Sequence, residues 1–254
     1  MNENKNPIRK HSLRQTALRR IRSSLFFPFA LAGVGLCHAK SLEAMPQAQP
    51  ATQAQPVSIK IANAPVPMRI LVLSPADSDS ELQVICLFAS DPSNTLHGSL
   101  VEMNEKLRGL LDRVRNPDLF RGELGETLII TPASGTIAAK KLLIIGLGDS
   151  ETFSPARMDL VGSIVYRESK RLEIAHPYFA ATVRDGGVTK FGASEISEQV
   201  TKGFLRAAAT ERILSAENNS QVKTIQDLTF LAGSQFAEST RAGIERAIAV
   251  SSGK

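Results

Sequence analysis

The 254-residue sequence has no tryptophan, two tyrosines, four histidines and two cysteines. With Cys37 and Cys86 the only thiols, a disulfide-stapled fold is excluded. Cys86 lies in the apolar run LQVICLFA (82–89), where a thiol packs as a small inert hydrophobe. Beyond residue 39 the only histidines are His97 and His176, and two lone histidines so far apart read as exposed loop residues rather than metal ligands. No G-x-S-x-G elbow is present, so a hydrolase serine has no recognisable setting. The longest early apolar run is well short of the roughly 20 residues that span a bilayer.

Charge is uneven. MNENKNPIRKHSLRQTALRRIRSS carries seven basic residues and one acidic, and leads into the twelve uncharged residues LFFPFALAGVGL and then CHA. A basic stretch, a short apolar stretch and a small residue make an export signal over residues 1–39, with cleavage expected after Ala39. Two variants are weaker: VGLC is a poor lipidation box at Cys37, and Arg19-Arg20 has Arg22 where a twin-arginine signal prefers an apolar residue. The whole chain has 30 basic and 25 acidic residues; without this leader 23 and 24 remain, a net charge of −1. That balance predicts no general affinity for nucleic acid, which needs cations to displace counterions from phosphates. The one grouping that could oppose this is Lys140, Lys141, Arg167, Lys170 and Arg171, if they converge.

Residues 40–56, KSLEAMPQAQPATQAQP, have no apolar periodicity and read as a flexible tether. One domain fills 57–254. Strand signals VSIKIA, MRILVLS and LQVICLFA come first. A helix is predicted over 98–114, with Leu100, Met103, Leu107, Leu110, Leu111 and Val114 on one face. ETLIIT and KKLLIIG are further strands, and Ser154-Pro155 predicts the start of a helix reaching about Arg171. PYFAATVR, a helix over 194–214, the strand TIQDLTFLA and a last helix from Ser234 complete the pattern. Strands separated by crossover helices give an α/β domain with helices on both faces of a mixed, mainly parallel sheet.

The stretch LLIIGLGDSETFSPARM (142–158) raises the question of a cofactor loop. A dinucleotide turn needs a third glycine, and here that position is Glu151, a carboxylate where pyrophosphate would lie. The predicted helix opens only at Pro155, too late to present its N–H groups to this turn. No Lys-Ser or Lys-Thr follows to make a P-loop. Gly146 and Gly148 therefore read first as a structural turn, and no cofactor is expected. Asp91, Asn94 and Gly98 could line a cleft at a strand's carboxyl end, with Gly146 and Gly148 beside it. The pairs Asp77/Asp79 and Glu123/Glu126 read as solvated loop charges. No catalytic residue and no metal-ligand set is predicted.

LFRGELGETLII (119–130) followed by AAKKLLIIGLGDSETFSPARM (138–158) resembles the N-terminal domain of the M17 leucyl aminopeptidases. LRGLL (107–111) and KGFLRAAATERIL (202–214) fall in that family's order and spacing. The resemblance covers about residues 57–250 and implies a three-layer, macro-domain-like fold. A macro domain would bind ADP-ribose through an Asn/Asp-rich strand end and a triple-glycine loop; FASDPSNTLHGSL (88–100) has a single glycine. The family's peptidase chemistry sits in a C-terminal domain with two metal ions and the motif N-T-D-A-E-G-R, a string absent from this sequence. The expectation is an exported, non-catalytic domain with a binding or assembly role, toward an unidentified protein or small molecule. An enzyme or nucleotide-like binder using loops 89–98 and 146–153 is the alternative, as is the separated N-terminal half of a metallo-aminopeptidase. The last helix has only a thin apolar stripe, Phe236, Ile244, Ala247 and Ile248, so a monomer or weak dimer without a stable membrane anchor is expected.

Overall fold

A computed structural model describes residues 55–89, 95–115, 119–220 and 225–252. The expected export signal over 1–39, the expected tether up to residue 54, and both Asp91 and Asn94 lie outside the described residues. The chain forms β1 (Ser58–Ile61), β2 (Met68–Val72), a 3-10 turn (Pro75–Asp77), β3 (Gln83–Leu87), α1 (Gly98–Lys106) and α2 (Leu110–Val114). There follow β4 (Thr127–Ile130), β5 (Leu142–Gly146), α3 (Arg157–Arg171), β6 (Tyr178–Phe179), α4 (Ala193–Ala216), β7 (Leu228–Ala232) and α5 (Ser234–Ser252). The strands make one sheet in the order β1-β2-β7-β6-β3-β5-β4. The four inner pairings are parallel, while β1–β2 and β4–β5 at the edges are antiparallel. The sheet is mixed and mainly parallel.

Alternation along the central strands separates two cores. Val84 and Cys86 of β3, with Leu143 and Ile145 of β5, pack under α3, α4 and α5. Ile85 and Leu87, with Leu142 and Ile144, pack under Leu100 and Met103 of α1 and Leu111 of α2. Every residue of β3 and β5 is buried, as both-face coverage requires. Cys86 is among them, and burial pushes its thiol far above the ordinary range, so it is an un-ionised packing group.

Three elements differ from the sequence expectation. The helix over 98–114 is two helices, because Arg108 and Gly109 take left-handed φ values of 57° and 76°. Asn104 then caps the second piece, its Oδ1 accepting from the Leu111 and Asp112 amides at 2.9 and 3.3 Å. The helix expected from Ser154 begins at Arg157, and Ser154 acts through its carbonyl, which accepts from the Arg157 amide at 3.1 Å. The strand PYFAATVR is reduced to Tyr178–Phe179, since the backbone turns at Thr182.

Three of the five basic residues grouped in sequence have acidic partners. Lys170 meets Glu211, Arg171 pairs with Glu168 at 2.6 Å, and Lys140 lies 3.9 Å from Glu81. Asp77 and Glu126 are also not free loop charges. Asp77 pairs with Lys106, and the Glu126 carboxylate accepts from the Glu123 amide at 3.0 Å and the Arg121 amide at 3.3 Å.

Candidate functional site

The Gly146-Leu147-Gly148 turn is fully committed to the fold. The Gly146 amide donates to the Glu126 carbonyl at 2.8 Å, Leu147 to Leu87 at 2.9 Å and Gly148 to Gly122 at 2.8 Å. No N–H of the turn remains to cradle a phosphate. A Cβ on Gly146 would stand 2.0 Å from the Glu123 carbonyl oxygen, and one on Gly122 would stand 2.7 Å from that of Phe88. Gly148 adds a φ of +74°. The glycines of FRGELGE and GLG thus let two loops interlock backbone to backbone across the end of β3. Arg157 ties the exit, donating to the Leu147 and Asp149 carbonyls at 3.3 and 3.2 Å.

The open space lies elsewhere. A cavity of about 510 Å³ sits at the carboxyl ends of the parallel strands β2, β7 and β6. That is where open α/β sheets take ligands, and the volume is in the small-molecule range. Val72, Ala232 and Phe179 stand at the strand ends that border it. Its walls are the first turns of α1 (Gly98, Ser99), α4 (Ala193, Ile196) and α5 (Gln235, Phe236). Four aromatic rings are among the apolar lining: Phe179 and Phe230, which meet edge-on at 5.8 Å, with Phe191 and Phe236.

Thr182 shapes one side. It is β-branched with a φ of 45°, a costly conformation held by its surroundings. Its buried hydroxyl donates to the Cys86 carbonyl at 2.7 Å and accepts from the Cys86 amide at 2.9 Å. The side chain thereby continues the β6–β3 pairing that the backbone has left. The freed backbone carries Arg184 and Asp185 to the cavity.

The polar groups there are sharply placed. The Asp185 carboxylate accepts from the Ser99 hydroxyl, and its backbone carbonyl accepts from the His97 amide at 2.8 Å. It lies at the N-terminus of α1, where a Cβ on Gly98 would be 2.6 Å from Asp185 Oδ1. Glu102 is already engaged, by the Ser74 hydroxyl at 2.6 Å and by Lys106 at 3.0 Å. The Arg184 guanidinium donates to the Thr189 carbonyl at 3.1 Å and lies 5.0 Å from the centre of the Phe236 ring.

Of the residues singled out in sequence, Gly98 lines the cavity, whereas Gly146 and Gly148 belong to the interlocked loops. Asp91 and Asn94 lie outside the described residues. His97 makes a 3.3 Å contact with Thr95 and His176 pairs with Asp227 at 2.6 Å. Thr182, Arg184 and Asp185 were not singled out, and Phe236 was read only as part of the apolar stripe of the last helix. Gly186-Gly187 after Asp185 marks a turn, but nothing local says that the turn borders a cavity. Among the described residues no group of His, Cys, Asp or Glu is arranged to hold a metal ion, and no helix is long and apolar enough to cross a membrane.

Residues 84–209 match the model of the cytosol aminopeptidase family, N-terminal domain. That segment belongs to this family. The interlocked loops and GLG turn described above fall inside the match. Among curated proteins, a probable cytosol aminopeptidase of Roseiflexus castenholzii is 27% identical over 172 residues, 66% of this chain and 34% of the relative. One from Alkaliphilus metalliredigens is 36% identical over 69 residues, 27% of this chain and 14% of the relative. The chain therefore spans at most about a third of the length of these relatives. Among solved structures, a tomato leucine aminopeptidase mutant has a TM-score of 0.55 at 18% identity, covering 79% of this chain and 38% of that one. An Oceanobacillus iheyensis macrodomain mutant has a TM-score of 0.51 at 12% identity, covering 78% of this chain and 98% of the macrodomain. The fold is macro-like, as the resemblance in sequence implied.

Proposed function

We propose that this domain is an exported, non-catalytic binding module of an aminopeptidase type, and that it holds a small organic molecule in the cavity at the ends of β2, β7 and β6. The cavity carries this reading: it is concave, aromatic-lined and furnished with a few fixed polar groups. The family supports an accessory role, with peptide hydrolysis assigned to the remainder of such an aminopeptidase. The same macrodomain has been solved with ADP, at a TM-score of 0.50 and 13% identity, so this fold can serve as a ligand scaffold.

Filling the cavity tests the reading. A fragment library screened by ligand-observed NMR is expected to give hits with the wild-type chain that vanish in Ala181→Trp, which places a large ring among the lining residues. Hits that persist undiminished in the filled variant, or a library with no hits, would refute a binding role for this cavity. The export component rests on the leader and is checked separately. Protein recovered from the extracytoplasmic fraction should begin near Lys40 on N-terminal sequencing, and a chain retaining Met1 would refute it.

A further inference from the structure

Three helix N-termini open onto the cavity, an arrangement that would favour a phosphate if their N–H groups were free. Two of the three carry the chain's own carboxylates. At α1 Asp185 stands against Gly98 and holds the Ser99 hydroxyl. At α4 the Glu195 carboxylate reaches back to the Gly192 amide at 2.8 Å and closes a capping box. An incoming phosphate would meet fixed negative charge at both. The lining cation, Arg184, is meanwhile drawn to the Thr189 carbonyl and the Phe236 face.

What the cavity still offers is an acceptor. Glu102 has both oxygens engaged, by Ser74 and Lys106, whereas the Asp185 contacts account for Oδ2 and leave Oδ1 without a hydrogen-bond donor among the described residues. Asp185 is half-buried beside an apolar, aromatic wall, where a carboxylate gains most from a charged donor. We propose that the cavity selects a compound with a primary ammonium and an apolar body, the ammonium on Asp185 and the body among Phe179, Phe191, Phe230 and Phe236, and that it rejects nucleoside diphosphates. This rests on the binding reading above and names its ligand class.

The sequence has no tryptophan, so Phe236→Trp installs a single fluorescent reporter on the cavity wall while keeping an aromatic face for Arg184. Titrating this protein with 2-phenylethylamine, 2-phenylethanol and ADP separates the ligand classes. The amine should bind at least tenfold tighter than the alcohol, and ADP more weakly than either. Adding Asp185→Asn, which keeps an acceptor for Ser99, should remove the tenfold preference; a thermal melt confirms that it is folded. The amine–alcohol ratio in the parent needs no further variant, so the inference stands testable even if Asp185→Asn fails to fold. Tighter binding of ADP than of the amine, or a preference that survives Asp185→Asn, overturns it. A cavity that takes other fragments in the NMR screen but not the amine overturns this inference alone, and a screen without hits removes the binding reading as well.

Discussion

Gly203→Ala is expected to destabilise the domain by about 2–3 kcal/mol, although helix propensity alone would make it stabilising by about 1 kcal/mol. Gly203 lies in the middle of α4, and a Cβ there would sit 1.8 Å from the Asp159 carbonyl oxygen of α3. The contact is reciprocal: a Cβ on Gly162 of α3 would sit 2.0 Å from the Val200 carbonyl oxygen of α4. The two backbones touch, and the crossing is pinned by the Ser163 hydroxyl donating to the Gly203 carbonyl at 3.0 Å and by Arg206 on the Asp159 carboxylate at 2.8 Å. The obstructing atom is backbone of a buried helix, which cannot rotate aside, so α3 and α4 must separate.

For an ordered region of this size the loss corresponds to roughly 5–10 °C in melting temperature. Gly135→Ala serves as the comparison: unlike Gly203 it has a positive φ, at +76°, and it has nothing within 4 Å of the new Cβ. It should lose only the conformational cost of about 1 kcal/mol. Thermal and urea unfolding of both variants decide the matter. A Gly203→Ala protein as stable as wild type would mean that the helices are not in backbone contact.

The alternation of strands and helices was legible because burial on both faces writes a dense apolar run, and β3 and β5 are such runs. The edge strand β1 was legible for the opposite reason, since VSIKIA alternates and pairs antiparallel with β2. The break at Arg108-Gly109 was not, because Leu107, Leu110 and Leu111 keep helical spacing on either side of a left-handed turn and all pack inward. The short β6 was hidden likewise: PYFAATVR has strand composition, but the Thr182 side chain takes the place of the ladder. The glycine turn could be rejected as a cofactor loop from Glu151 and the late helix start. That its amides are consumed by residues 87, 122 and 126 needed the fold. At the candidate site, sequence reached Gly98 because it opens a helix after a strand. Thr182 and Asp185 share the loop after β6 whereas Phe236 lies in the first turn of α5, and no spacing rule connects residues that meet only at the end of a sheet.

Glu211→Ala is expected to cost about 3 kcal/mol, far more than loss of a surface ion pair. Lys170 of α3 and Glu211 of α4 pair with side chains only 11% and 15% exposed, and the ammonium also donates to the Ser220 hydroxyl at 2.6 Å. Burial holds the Lys170 ammonium below the ordinary lysine range. Removing the carboxylate leaves a cation nearly out of water with a hydroxyl as its remaining partner, and that uncompensated charge is the source of the penalty. The double variant Lys170→Met with Glu211→Leu removes both charges and retains the packing volume, so it should return to within about 1 kcal/mol of wild type. Urea unfolding of wild type, Glu211→Ala, Lys170→Met and the double variant gives the coupling directly. A loss below about 1 kcal/mol in Glu211→Ala would show that water reaches Lys170 and that the pair adds little to the α3–α4 contact.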